Sequence, residues 1–259
     1  MSDSKLQVRG LVRHFGGVKA VDGVDFEVAE GECVALIGPN GAGKSTCFAC
    51  IAGQQVPTAG QVLWQGQSLL GLQPRERLAR GVARTFQVAQ IFEALSVQQN
   101  LQLALQASQG QWSALQPLSA CHLPQAQALL AQAGLEGVAE HEAASLPYGA
   151  KKRLELALAL AAGPRLLLLD EPAAGLAGQE RQGLMQWVRQ LANEGLTVLY
   201  TEHNMDAVAG LADRVLVLIE GRLAAQGSFA QIARDPVVQA RYLGHSGLDF
   251  LDPKEPPHA

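Results

Sequence analysis

Residues Gly38-Pro39-Asn40-Gly41-Ala42-Gly43-Lys44-Ser45 follow directly on the apolar run Cys33-Val34-Ala35-Leu36-Ile37. A buried strand that empties into a glycine-rich loop ending in Lys-Ser is the pattern of a phosphate-binding loop. It restricts the chain to folds in which a strand feeds a helix through such a loop. The glycines let the backbone curl so that successive N–H groups converge on phosphate oxygens, and the helix that follows adds the positive end of its dipole. In this pattern Lys44 meets the β- and γ-phosphates, Ser45 holds Mg²⁺, and Thr46 completes the loop. A nucleoside triphosphate is the expected ligand.

The chain's bulk properties narrow its class. At 259 residues and 48% hydrophobic, it has enough apolar material for one large domain, or for a domain with a subdomain. A net charge of -4 gives no field that favours nucleic acid, which is not an expected partner. The start, Met1-Ser2-Asp3-Ser4-Lys5, lacks the apolar run of a signal peptide, and no apolar run reaches membrane-spanning length. A cytosolic chain with at most peripheral membrane contact is expected. Cys33, Cys47, Cys50 and Cys121 form no paired zinc-type clusters and read as structural thiols.

Short β-like runs at 6–15, 24–28, 33–37, 61–64 and 82–86 fill the first part of the chain, interrupted by one helix after Lys44. From about 91 to 162 the pattern changes to Leu, Ala and Gln at helical spacing, with Ser96 and Ser145 as helix-start signals. This reads as an inserted helical subdomain, least regular over 107–123, where Trp112 lies. Strand and helix alternation then resumes, with strands at 166–169 and 197–201 and helices at 178–193 and 204–212. A parallel sheet covered by helices follows from that order. Segments 215–219 and 222–225 suggest a terminal hairpin, followed by short helices. The expected boundaries are a nucleotide-binding core at 1–87 and 163–246, a helical subdomain at 88–162, and a flexible tail at 247–259.

A second motif sits far from the first. Leu166-Leu167-Leu168-Leu169-Asp170-Glu171-Pro172 is an apolar strand that delivers two adjacent carboxylates at its C-terminal end, where open parallel sheets bind ligands. This is the Walker B pattern. Asp170 is placed to bind Mg²⁺, and Glu171 to orient or deprotonate an attacking water.

With these two motifs on one chain, the sequence resembles the ATP-binding subunits of ABC transporters over nearly its whole length. The resemblance implies an α/β fold: a P-loop NTPase core with a mostly parallel sheet, an N-terminal antiparallel β part and an inserted helical subdomain. It implies that Phe15, in His14-Phe15-Gly16-Gly17, stacks on adenine. It gives Gln87, in Arg84-Thr85-Phe86-Gln87, a contact with Mg²⁺ and the attacking water, and gives His203 a contact with the γ-phosphate. Leu146-Pro147-Tyr148-Gly149-Ala150 occupies the place of the family's signature, Leu-Ser-Gly-Gly-Gln, and Ala173-Ala174-Gly175-Leu176 the loop at the dimer interface. In the family's mechanism two chains sandwich two ATP molecules, each held between one chain's phosphate loop and the other's signature, and closure moves membrane partners. The helical subdomain then receives the partner's coupling helix, with residues 87–95 as transmission candidates.

Arg84-Thr85-Phe86-Gln87, the Tyr148-Gly149 variant, Asp170-Glu171-Pro172-Ala173-Ala174-Gly175-Leu176, Asp235-Pro236-Val237-Val238 and Tyr242-Leu243-Gly244 further resemble branched-chain amino acid importers. The implied partners are transmembrane permease subunits, a second ATP-binding subunit and, indirectly, a solute-binding protein, with the chain at the cytoplasmic face of the membrane. Urea or amide import, lipopolysaccharide export, and a weakly catalytic ATP-gated assembly module are the alternatives.

The chain also departs from the family pattern. Pro147 replaces the signature serine and supplies neither hydroxyl nor N–H, while Ala150 and Ala177 replace polar residues. These signature changes affect the nucleotide held by the partner, whereas Lys44, Asp170, Glu171 and His203 serve the chain's own. A non-identical partner with an intact signature is therefore expected.

Overall fold

The computed structural model describes residues 5–85, 91–109 and 121–242. Two long strands come first, β1 (Lys5–Phe15) and β2 (Val18–Ala29), then β3 (Cys33–Ile37), helix α1 (Lys44–Ile51), β4 (Ala59–Trp64), β5 (Gln67–Ser68), α2 (Pro74–Ala79) and β6 (Val82–Arg84). Helices α3 (Val97–Gln109), α4 (Leu123–Ala133) and α5 (Tyr148–Leu160) follow. The chain then alternates through β7 (Leu166–Asp170), α6 (Gly178–Asn193), β8 (Thr197–Thr201), α7 (Met205–Leu211) and β9 (Arg214–Ile219). It closes with β10 (Arg222–Gly227), α8 (Phe229–Arg234) and α9 (Pro236–Arg241).

The strands form an antiparallel sheet of order β2-β1-β4-β5 and a larger sheet of order β10-β9-β3-β8-β7-β6. All neighbours in the larger sheet are parallel except the β9–β10 hairpin. Its central strands β3 and β8 are buried at every residue because both faces are covered. Cys33, Ala35, Ile37, Leu167 and Leu169 join the core beneath the helices, whereas Val34, Leu36, Leu166 and Leu168 join the core shared with α1 and the antiparallel sheet. The helical stretch packs into the first of these cores: Leu101 of α3, Leu130 of α4 and Leu154 of α5 are fully buried there with the sheet residues. All four cysteines are buried and unbridged.

Local signals account for most helix starts. Ser96 accepts from Gln99 N at 3.1 Å, and the Gln99 side chain accepts from Ser96 N at 2.9 Å, a reciprocal cap for α3. Ser145 behaves differently from expectation. Its hydroxyl donates to Glu142 O at 2.7 Å within a short 3-10 turn, and α5 begins at Tyr148 with Pro147 at the cap position. The residue before a proline is driven to extended backbone, so Leu146 at ψ 138° interrupts any helix started at Ser145.

The strand expected at 82–86 ends at Arg84, and that expected at 24–28 extends back to Val18 through its pairing with β1. Helix α2 was not expected. Trp112, Phe86, Leu243, Gly244 and the tail 247–259 lie outside the described residues. Among the described residues, no helix is long and apolar enough to cross a membrane.

Candidate nucleotide site

The loop joining β3 to α1 leaves the sheet at the C-terminal edge of its parallel strands, and β7 and β8 deliver Asp170 and Thr201 to the same edge. Gly38, Gly41 and Gly43 all have positive φ, at 148°, 79° and 95°. A Cβ on Gly38 would strike Leu218 O, and one on Gly43 would strike Ala20 O, so only glycine lets this loop lie so close to its neighbours. Pro39, Asn40 and Ala42 complete the turn, with Ala42 N donating to Pro39 O at 3.2 Å. The loop forms a narrow backbone cradle, as phosphate binding requires.

Lys44 is only 6% exposed. Its Nζ donates to Gly38 O at 2.6 Å and Pro39 O at 3.0 Å, which holds the ammonium against the loop it serves. Burial pushes its pKa down, and the charge of Glu171 opposes that shift. Ser45 is exposed at the start of α1, with Thr46 partly exposed beside it.

Asp170 and Glu171 are both held by one hydroxyl. Thr201 Oγ1 donates to Asp170 Oδ1 at 2.7 Å and accepts from Glu171 N at 3.0 Å. The pairing of β7 with β8 sets Asp170 directly opposite Thr201 and makes this possible. Glu171 takes φ 48°, a left-handed conformation that costs a non-glycine residue about 1–3 kcal/mol and that clusters at functional sites. Its Oε1 lies 2.7 Å from Nε2 of His203, so the two residues form a contacting pair at the mouth of the site.

Beneath them lies Glu202, 3% exposed. Its Oε1 accepts from the backbone N–H of His203 and of Asn204, both at 3.2 Å, and the Ala173 amide also acts on this carboxylate. Among the described residues its Oε2 is buried without a hydrogen-bond partner, close to the loop after β7. Burial raises its pKa above the ordinary carboxylate value, against the pull of these amides, and Glu171 adds to the rise.

The folded protein therefore holds this proton more tightly than the unfolded chain, so Glu202's contribution to stability is full below the ordinary carboxylate range and lost as pH rises through the folded value. Glu202→Gln does not titrate. The unfolding temperature of the parent minus that of the variant is expected to fall as pH rises above the ordinary carboxylate range. A difference independent of pH in thermal melts would contradict this.

Phe15 ends β1 with 43% of its surface exposed, and the Arg13 guanidinium lies 4.5 Å from its ring centre. That cation–π contact holds the ring while leaving part of its surface open to solvent. In the expected signature Leu146 and Gly149 are buried, Pro147 is exposed, Tyr148 is 49% exposed and Ala150 is partly buried. Pro147 caps α5 without a side-chain acceptor. Gln87 lies outside the described residues. A groove of about 770 Å³ runs between the α2–β6 region and helices α3 and α5, lined among others by Arg75, Leu78, Arg84, Ala104 and Leu158.

The sequence family described as ABC transporter matches residues 21–174, more than half of the chain and inclusive of both the phosphate loop and Asp170-Glu171. The chain belongs to the ABC transporter family. It is an ATPase with the fold of the family's ATP-binding cassette. It is 40% identical over 256 residues to the high-affinity branched-chain amino acid transport ATP-binding protein LivG of Escherichia coli K12, covering 95% of this chain and all of LivG. The ADP conformation of the cassette MJ1267 superposes with a TM-score of 0.80 at 29% identity, over 92% of this chain and 98% of that one. A dimeric post-hydrolysis state of the cassette MJ0796, bound to ADP and Pi, gives 0.73 at 25% identity, over 86% and 98%.

Two side chains beside the site escaped sequence reading. Thr201 bears on the site only because β8 lies beside β7, and Glu202 only because two loops converge on it. A strand-end Thr-Glu before His203 carries no signal of either arrangement.

Proposed function

We propose that this cassette powers uptake of branched-chain amino acids or a related small solute, as the ATP-binding subunit of an importer at the cytoplasmic face of a membrane. The observation that carries the cargo is the 40% identity to LivG over 95% of this chain and all of LivG. Lys44 and the loop amides hold the phosphates, and Phe15 stacks on adenine. Ser45 and Asp170 are hard oxygen donors that fit Mg²⁺, and Gln87 is assigned with them. When bound, the ion neutralises charge on the β- and γ-phosphates. Glu171 takes the proton of the attacking water, and His203, in contact with it at 2.7 Å, positions the carboxylate and meets the γ-phosphate.

The groove beside α2 supports docking of a permease helix, and its arginines favour an acidic one. Residues 88–162 are assigned as the unit that moves with that helix. Leu146, Pro147, Tyr148, Gly149 and Ala150 face the nucleotide of a second, non-identical cassette. Proline at 147 removes a charge-assisted hydrogen bond that contributes about 1.5–3 kcal/mol, so a homodimer would carry the weakness at both sites. The test is reconstitution in lipid vesicles with candidate permeases, a second cassette and a binding protein. ATP-dependent leucine uptake is expected. Absence of uptake of any branched-chain amino acid or related small solute would reject the cargo, and full activity with two copies of this chain would reject the non-identical partner.

A further inference from the structure

Tyr148 opens α5 in the middle of the signature, yet its side chain reaches back to the chain's own carboxylate loop. Its Oη donates to Ala174 O at 3.3 Å. The ring lies against Gly175, where φ is 75° and an added Cβ would come 3.1 Å from the ring's Cε1 and 3.5 Å from Oη. Ala174 N in turn donates to Glu171 O at 3.1 Å. One residue, Ala174, therefore takes the phenol's hydrogen bond on its carbonyl and passes a second one, through its amide, to the backbone of Glu171.

Neighbouring contacts stiffen the same junction. The Glu180 carboxylate at the start of α6 lies directly against Gly149, where any Cβ would collide with it, and its Oε2 accepts from Ala177 N at 3.4 Å. Lys152, one turn along α5, places its ammonium 5.9 Å from the Tyr148 ring centre. The first turn of α5 and the loop 171–177 are thus joined by a hydrogen bond and by close packing. Glu171 sits at the loop's start in a left-handed conformation that needs support from its surroundings.

We infer that Tyr148 is a positioning residue: its hydroxyl latches the signature helix to the loop that carries Glu171, so that seating of one nucleotide against the signature sets the carboxylate at the other. This rests on the proposed reading that the signature faces a partner's nucleotide. A ring that only packs against Gly175 would serve equally well as phenylalanine. The hydroxyl is the part that distinguishes a latch from a filler.

The test is Tyr148→Phe, which keeps the ring. In the isolated full-length chain, amide hydrogen exchange across 171–177 is expected to speed up about 2- to 10-fold, the worth of one neutral hydrogen bond, with β8 unchanged and the chain's own ATP affinity unaltered. In the assembled transporter kcat for ATP is expected to fall by a similar factor at constant KM. Unchanged exchange across 171–177 overturns the latch, whatever the assembly proves to be. Faster exchange with unchanged kcat in an active assembly overturns the coupling. An assembly inactive with the parent chain counts against the proposed function, while the exchange result still decides the latch.

Discussion

Glu171→Gln is expected to lower ATP turnover by about 10²- to 10⁴-fold, the range for loss of a general base, while ATP still binds. The change is nearly isosteric, and the amide keeps a polar contact with His203 where the carboxylate now lies 2.7 Å from Nε2. The left-handed backbone at residue 171 is held by Thr201 Oγ1 and by the turn to Ala174, neither of which uses the Glu171 side chain. The variant should therefore fold like the parent and fail only in chemistry. Blocked hydrolysis also traps any closed sandwich. With the non-identical partner proposed, the variant alone is expected to remain monomeric by light scattering with Mg·ATP present, and to associate once that partner is added. Doubling of the mass by ATP alone would show that the Pro147 signature closes on a second copy. Turnover within a few fold of the parent would remove Glu171 from its role.

The contrast between Asp170-Glu171 and Thr201-Glu202 shows where the sequence was legible. A leucine run ending in two carboxylates, and a glycine run ending in Lys-Ser, each carry their meaning within a few consecutive residues, because a buried strand and a tight loop are local structures. Gly178–Asn193 and Thr197–Thr201 were equally legible, since their apolar periodicity is set by a core on one or both sides. Thr201 matters through its register opposite Asp170, and Glu202 through a fold that brings two loops together, and no local pattern encodes either. Helix α2 was hidden for another reason. Among its six residues the buried one is Arg77, whose guanidinium donates to Ile51 O at 2.8 Å and also to Leu69 O, and Leu78 alone packs partly against the core, too little for a readable apolar period. Its only signals were Pro74 at the first turn and the cap, in which Gln73 N donates to Glu76 Oε2 at 2.6 Å. Ser145 misled because its hydroxyl is a genuine turn-former placed two residues before a proline.

Lys44→Met is expected to separate nucleotide binding from stability. The ammonium is almost fully buried and is held, in this structure, by two backbone carbonyls of the loop. Burying a charge is unfavourable and pushes its pKa down, and the phosphates compensate when they arrive. Methionine fills a similar volume without that penalty but leaves Gly38 O and Pro39 O without their donor, so the two effects oppose each other and the nucleotide-free unfolding temperature should change little. Affinity behaves otherwise. At least one hydrogen bond to a charged phosphate disappears, at about 1.5–3 kcal/mol, which weakens Mg·ATP binding about 10- to 150-fold. At a free nucleotide concentration of about 100 times the parent's Kd, binding stabilises the parent by about 2.7 kcal/mol. A variant weakened about 100-fold retains only about 0.4 kcal/mol of that stabilisation at the same concentration. Thermal melts with and without Mg·ATP read both quantities in one experiment. A variant that keeps the parent's full nucleotide-dependent shift would show that Lys44 does not meet the phosphates and that its buried charge serves only the loop.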